Sequence, residues 1–255
     1  MKIIKKQFDW NDIESQKLFV NATNEFEIEE RYVSEAKNLI SILNINLEDK
    51  VLDFACGNGK HAIELAKLDY KIQGYDNSDY YIERACRIAN KHNVDVKFYN
   101  NVEDIKSSID KYDYIYTIRF PISYFNRKDL IISFKIIYQL LKGNGRFLLG
   151  FPFTREKREK KFPSNSWKEE EGIFYLSDKK INADGKKVER YIEINPKEEM
   201  LTEWIDECKD YYLEEIKEIL QDINFIPIKF YKNLSGDTSK EADKIQFILC
   251  KKNNK

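Results

Sequence analysis

Cysteine, histidine, glycine and proline are scarce in this chain, and so is any imbalance of charge. The four cysteines, Cys56, Cys86, Cys208 and Cys250, are scattered with no CxxC pair, and the only histidines are His61 and His92. This leaves no disulfide framework and no zinc-ligand spacing, so reduced thiols and no bound metal are expected. Lysine and arginine number 43 against 44 aspartates and glutamates. A near-neutral total provides no global basic field, which makes nucleic acid an unfavoured partner. Long apolar runs are missing too. The opening MKIIKKQFDW lacks the continuous apolar segment of a secretory leader, and the apolar stretch Leu130 to Leu141 is interrupted by Lys135 and Gln139, far short of a membrane span. The expectation is a cytoplasmic protein with no membrane partner. Hydrophobic residues make up 42% and aromatics 14% of 255 positions, enough for one sizeable domain, 1–255, carrying an inserted subdomain.

Two of the few glycines stand in KVLDFACGNGKHA, Lys50 to Ala62. Val51, Leu52 and Phe54 form a short β-favouring apolar run that breaks at Ala55-Cys56 into a loop holding Gly57 and Gly59. Beyond it, His61 to Ala66 resumes at helical spacing. Glycines between the carboxyl end of a strand and the start of a helix let a polar ligand approach the backbone closely. Gly57 to Ala62 formally fits the dinucleotide pattern GxGxxG/A. Asp53, inside the strand end, suits a pyrophosphate poorly and a ligand with a cationic end well. A second strand, Tyr70 to Tyr75, ends at Asp76-Asn77-Ser78. An acid about 20 residues past the first glycine is where a parallel α/β unit presents a carboxylate to an adenosine ribose. The same residues also suit the N-cap of the following helix, Tyr80 to Lys91.

On these residues the chain resembles the class I S-adenosylmethionine-dependent methyltransferases, whose first motif commonly reads VLDLGCGTG or LDLACGTGRHA. The resemblance runs from about Leu39 to Gly150, with a looser echo to the C-terminus. It implies S-adenosyl-L-methionine as cofactor, with contacts at Asp53, Ala55, Gly57, Gly59, Asp76, Asn77 and Ile118. It also implies that Asn101 and Val102, after the third strand Val94 to Tyr99, meet the adenine. The usual residue at position 101 is Asp, and Asn101 equally suits a plain helix cap. Ser123-Tyr124-Phe125, past the fourth strand Tyr112 to Ile118, looks like the family's FGYF segment and LLKGNGRFLLG like its LLKPGGRFLL.

Strand and helix signals alternate as far as Phe151, which argues for a parallel sheet covered on both faces. The expected fold class is therefore α/β, a doubly wound, seven-stranded, mostly parallel sheet with an inserted antiparallel β lid. Residues 1–44 read as an N-terminal helical cap, with Tyr32 a candidate wall residue. Residues 154–206 read as the insert, with strand signals at 172–176, 188–194 and 200–205, a hairpin turn at Asp184-Gly185, and a charged run, TREKREKK, at its start. Small-molecule members of the family use such an insert as a substrate platform. Arg119, Tyr124 and Trp204 are the candidate acceptor-binding residues; Tyr124, Tyr175, Tyr211 and Glu203 are candidates for a general base, none singled out. Lys209-Asp210-Tyr211-Tyr212 departs from the family's RLYT at Asp210.

The expected reaction is methyl transfer to an oxygen or nitrogen of a small molecule. The competing readings are an NAD-dependent oxidoreductase, an RNA methyltransferase and a non-catalytic protein that binds S-adenosylmethionine.

Overall fold

The computed structural model describes the chain except residues 11, 23–28, 107–110, 152–154, 156, 158–159, 161–162, 184–185, 209 and 254–255, with side chains also left out at 20–22, 29 and 106. The expected turn at Asp184-Gly185, Lys209 and most of the charged run at 154–161 lie outside the described residues. The chain divides into two compact units. The larger comprises Glu29–Lys157 and Tyr211–Lys255, the smaller Met1–Ile28 and Arg158–Asp210.

The larger unit is built on β2 (Lys50–Phe54), β3 (Lys71–Tyr75), β4 (Lys97–Tyr99), β5 (Tyr112–Thr117), β6 (Leu141–Gly150), β11 (Phe225–Tyr231) and β12 (Phe247–Lys252). Their order is β11-β12-β6-β5-β2-β3-β4. Pairing is parallel from β6 to β4 and antiparallel at β12 and β11. This is the expected seven-stranded, mostly parallel sheet. The chain runs outward from β2 to β4 and then returns to the other side of β2 as β5, so the order reverses between β2 and β5. In open α/β sheets a ligand crevice forms at the carboxyl ends of the strands flanking such a reversal.

β2 is central and has residues on both faces sequestered, as a parallel strand covered by helices requires. Leu52 and Phe54 join one core cluster with α6 (Arg127–Leu140) and α7 (Leu213–Asp222). Val51 joins the other, with α2 (Glu29–Leu43) and α3 (Lys60–Ala66). Helix starts follow local chemistry: α4 (Asp79–Lys91) is capped by the Ser78 hydroxyl accepting from the Tyr81 N–H, and α6 by Asn126 accepting from Asp129.

The segment Lys142-Gly143-Asn144-Gly145-Arg146, whose glycines read from sequence as a turn before the strand, lies within β6, which starts at Leu141. Tyr112 pairs with Leu141 and Tyr114 with Arg146, so the intervening glycine-containing residues bulge out of the ladder.

The smaller unit is a five-stranded sheet in the order β1-β10-β9-β8-β7: β1 (Lys2–Gln7), β10 (Met200–Cys208), β9 (Lys187–Asn195), β8 (Ile173–Ile181) and β7 (Ser164–Glu170). β7 to β10 form an antiparallel meander, and β1 pairs parallel with β10. Residues 1–44 thus hold a strand as well as α1 (Ile13–Ala22) and α2. The strand escapes a reading based on apolar periodicity because KIIKKQ is mostly charged and its side chains stay largely exposed. β7, SNSWKEE, is similarly polar. Phe8, Leu18, Tyr175, Tyr191 and Trp204 form this unit's own core on one face of the sheet.

Close strand packing in the larger unit leaves little freedom at Gly150. A Cβ there would sit 2.6 Å from a Phe247 ring carbon and 2.6 Å from the Thr117 carbonyl oxygen, and the backbone oxygen cannot retreat. Gly150→Ala is expected to destabilise the protein by roughly 1–3 kcal/mol. Urea unfolding checks this through a lowered midpoint at unchanged slope.

Candidate active site

The turn after β2 is fixed by backbone conformation and by one acid. Ala55 has φ 62, Gly57 φ 52 and Gly59 φ 68, so three of five successive residues occupy the left-handed region. The Gly57 N–H donates to Asp76 Oδ2 at 2.9 Å and the Ser78 N–H to Asp76 Oδ1 at 3.0 Å. One carboxylate therefore ties the loop after β2 to the loop after β3. Both oxygens keep a further lone pair for an outside donor such as a ribose hydroxyl. Burial raises the Asp76 carboxyl, and the two N–H donors work against that rise.

The two turn glycines have different reasons to be glycine. A methyl group at Gly57 would meet no described atom within 4 Å, so space lies open above it. At Gly59 it would come within 2.6 Å of the Phe98 ring, and Gly74 in β3 meets the same ring at 2.5 Å. Gly59 and Gly74 together make a slot for Phe98, so packing alone already requires Gly59.

Asp53 is 2% exposed and lies beside Tyr116 in register on β5. Burial pushes its carboxyl up to about 8; the Asp76 charge adds to the rise, while the neighbouring Tyr116 hydroxyl and the Ala62 N–H oppose it. Asp53 Oδ2 and the Tyr116 hydroxyl are both buried without a hydrogen-bond partner among the described residues. Asn58, 2% exposed, accepts from Arg84 Nε at 3.2 Å through Oδ1 but leaves Nδ2 unpartnered. Native proteins leave few such atoms, and each calls for an explanation such as a ligand or a bound water. A buried acid, a phenol and an amide at the end of β2, on the neighbouring strand and in the turn, each with one atom lacking a partner among the described residues, fit a polar cofactor with a cationic end.

The remaining cofactor candidates are placed as follows. Asn77 is exposed and Ile118 packs partly onto the second core cluster. Asn101 Oδ1 accepts from the Glu103 N–H at 3.0 Å, the cap of α5 (Val102–Lys106), with Val102 packed partly on the first cluster.

A cluster at the carboxyl end of β5 was not legible in the sequence. Arg119, with φ 57, follows Ile118 directly. Its Nη2 donates to Glu35 Oε1 at 3.1 Å and Oε2 at 3.3 Å, from α2. His61 Nε2 lies 2.7 Å from Glu35 Oε2, and Arg31 Nε donates to Glu35 Oε1 at 2.9 Å. Burial works to raise the Glu35 carboxyl, but the His61 hydrogen bond and the adjoining charges outweigh it and hold it at about 2. Burial lowers His61, partly offset by Glu35. Tyr32 packs edge-on against His61, ring centroids 5.0 Å apart. Glu35 could not be found from spacing, because its partners come from three separate segments.

The four candidate bases are scattered. Tyr124 stands on the 3-10 turn Ile122–Tyr124 past β5. Tyr211 is 1% exposed, and its hydroxyl donates to the Phe125 carbonyl at 2.8 Å, a packing arrangement. Tyr175 belongs to the core of the smaller unit. Glu203 is ion-paired with Arg190 and with Lys5, and the Arg190 hydrogen bond holds its carboxyl below the usual range. Glu203 and Trp204 are successive on β10, so they face opposite sides of the sheet. Trp204 lies among Phe8, Tyr175 and Tyr191, its indole Nε1 without a partner among the described residues.

Comparisons with known proteins agree with this geometry. A sequence profile for the family described as "Methyltransferase domain" matches residues 45–195. A sterol 24-C-methyltransferase of Aspergillus fumigatus is 33% identical over 102 residues, 38% of this chain; the match spans only 26% of that protein. Among solved structures, an S-adenosylmethionine-dependent methyltransferase from Clostridium acetobutylicum superposes with a TM-score of 0.71 at 15% identity, covering 95% of this chain and all of that one. An amino pentose methyltransferase from Micromonospora echinaspora, solved with S-adenosylmethionine bound, superposes with a TM-score of 0.63 at 11% identity, over 97% and 100% of the two chains. These two show the shared fold. With more than half of its residues inside the matching profile, the chain belongs to the methyltransferase domain family, the class I S-adenosylmethionine-dependent methyltransferases.

Proposed function

We propose that the protein transfers a methyl group from S-adenosylmethionine to an oxygen or nitrogen of a small polar molecule, with the cofactor held by the larger unit and the acceptor recognised by the smaller one. The observation that carries the acceptor class is the character of the smaller unit's buried sheet face. Beside Tyr175, Tyr191 and Trp204 it carries Lys187, Glu189 and Asp206, all buried. Lys187 Nζ lies 3.1 Å from Glu189 Oε1, and the Tyr191 hydroxyl donates to Glu189 Oε2 at 2.6 Å. A unit that keeps three ionisable side chains even on its buried face has no continuous apolar wall there of the kind a sterol ring system needs, which favours an acceptor with heteroatoms. The sterol relative shares about a quarter of its own length with this chain, so its acceptor does not carry over.

When bound, S-adenosylmethionine supplies a methyl group already activated by its positive sulfur. The chain's own task is then positioning and exclusion of water, which needs no strong base. Asp76 would hold the ribose, Asp53 would face the cationic end, and the turn at Gly57 would let the cofactor approach the backbone. Tyr124, on the loop past β5, would orient the acceptor, and Arg119 would contribute charge recognition through the pair it makes with Glu35. Incubation with methyl-labelled S-adenosylmethionine and fractionated metabolites, followed by identification of the labelled product, tests the reaction and names the acceptor. Label recovered only on a sterol carbon, or only on RNA, would overturn the acceptor class.

Three outcomes are expected of variants. At pH 7 the Asp53 carboxyl, raised to about 8, is mostly neutral, whereas a cationic cofactor favours its ionised form. Binding should therefore release protons, and affinity should rise between pH 6 and pH 7.5 by up to about tenfold per unit. Calorimetry in buffers of different ionisation enthalpy reads the released protons, and Asp53→Asn should abolish both effects.

Asp76→Ala should weaken cofactor binding at least about tenfold, since charge-assisted hydrogen bonds contribute roughly 1.5–3 kcal/mol each. An unchanged affinity by calorimetry would remove Asp76 from the site.

Trp204→Ala should lower turnover of the identified acceptor while leaving cofactor affinity within about threefold. Parallel loss of cofactor binding and activity in a folded variant would reject the division of labour between the units.

A further inference from the structure

The side chains gathered on Glu35 make a cationic group at the crevice. Arg31 and Arg119 both donate to the one carboxylate, and His61, buried, is hydrogen-bonded to the same acid. Lys60 Nζ lies 4.8 Å from the Tyr32 ring centroid, and that ring packs against His61. These contacts bring two guanidinium groups and an ammonium around a single carboxylate. The group can be reached from outside, since the Arg119 side chain is 24% exposed and that of Arg31 39%. Arg119 stands just past the carboxyl end of β5 and is held at φ 57. A left-handed backbone at a non-glycine residue is strained, and such strain persists where the aim of the side chain matters. The acids described at the crevice are meanwhile committed. Asp76 holds two backbone N–H groups, Glu35 holds its guanidinium groups and the imidazole, and Asp53 is buried in the strand. Tyr124 is a phenol, which near neutral pH keeps its own proton. An acceptor that must first lose a proton, a hydroxyl or an ammonium, is poorly served by these residues, and an ammonium would be repelled as well.

Resting on the methyl-transfer reading above, we infer that the acceptor is a carboxylic acid, methylated on its carboxylate oxygen, and that the Arg119 guanidinium holds that carboxylate. The oxygen is already anionic. Its lone pair forms the bond to the methyl carbon while the methyl–sulfur bond breaks and its electron pair passes to sulfur, leaving a methyl ester and a neutral thioether. No proton moves, so no base is required. A positive and a negative charge disappear together, which a water-poor site favours. The planar guanidinium matches a planar carboxylate. Because Glu35 already takes part of the Arg119 charge, the guanidinium steers the incoming carboxylate and leaves it nucleophilic.

The product labelled from methyl-labelled S-adenosylmethionine and fractionated metabolites provides the test. A methyl ester gives up its label as volatile methanol in mild alkali, whereas N-methyl amines, methyl ethers and methyl phosphates keep it. The expected result is near-complete release. Arg119→Met should raise the KM for that acceptor at least about tenfold, with Arg119→Lys between it and the wild type. Cofactor affinity by calorimetry should stay the same or tighten, because a cation near the sulfonium is gone. Alkali-stable label on a small molecule would overturn the carboxylate and leave methyl transfer standing. Label on no small molecule would remove the methyl-transfer reading itself, and this inference with it. A folded Arg119→Met variant that loses more than about threefold in cofactor affinity would assign the guanidinium to the cofactor's own carboxylate and overturn its role toward the acceptor.

Discussion

The geometry of the candidate cofactor site depends on burying a carboxyl group in the central strand of a parallel sheet. Alternation along β2 puts Leu52 and Phe54 toward one helical layer and Val51 and Asp53 toward the other, beneath α2 and α3. The chain could have placed an aliphatic residue at 53 and gained stability. With Asp53 it instead holds an acid that is mostly neutral near pH 7, and leaves the Tyr116 hydroxyl and an Asn58 donor without partners among the described residues. Each such atom costs on the order of 1–3 kcal/mol. The cost is tolerable because the strand is held on both faces and both edges, so local strain cannot relax by moving the backbone. The same rigidity keeps Ala55, Gly57 and Gly59 in the left-handed conformations that shape the turn.

The sequence made the larger unit legible because two independent periodicities agreed there. Buried strands such as VLDF and FLLG read as short apolar runs, and α4 and α6 repeat at helical spacing between them, so element order and parallel topology followed. The smaller unit was harder. Its four long strands are half polar, and β1 and β7 are mostly charged or polar because they are edge strands with one open face. KIIKKQ carries no signal by which its pairing with β10 could be told from a disordered start. The pairing is fixed by hydrogen bonds to a segment nearly two hundred residues away, as in Lys2↔Met200.

At the site, residue type and spacing identified the acids and the glycine turn but not what those residues touch. Asp76 sits where the spacing put it, with both oxygens holding backbone N–H groups. Gly59 was read as a ligand contact, yet Phe98 already accounts for its identity. Glu35 was invisible: nothing in EERYVSEAKNL distinguishes it from the other glutamates on a solvated helix. Only the fold brings it to His61 and Arg119.

In the proposed site, that cluster would let an arginine stand near a cationic cofactor. Arg119 alone would repel a sulfonium, and its positive φ adds backbone strain for a non-glycine residue. Glu35 answers the charge with two contacts from one guanidinium nitrogen, while His61 and Arg31 keep the carboxylate ionised far below neutral pH. With His61 lowered by burial, the group carries two guanidinium charges against one carboxylate, a residual positive balance rather than neutrality. Repulsion of a sulfonium bound nearby would be reduced, and what remains would favour an anionic group. Because the carboxylate is on α2, the guanidinium on the β5 loop and the imidazole next to the glycine turn, the same contacts fix α2 against both loops of the crevice. Charge compensation and the placement of the covering helix are therefore one interaction, and neither can be altered without the other.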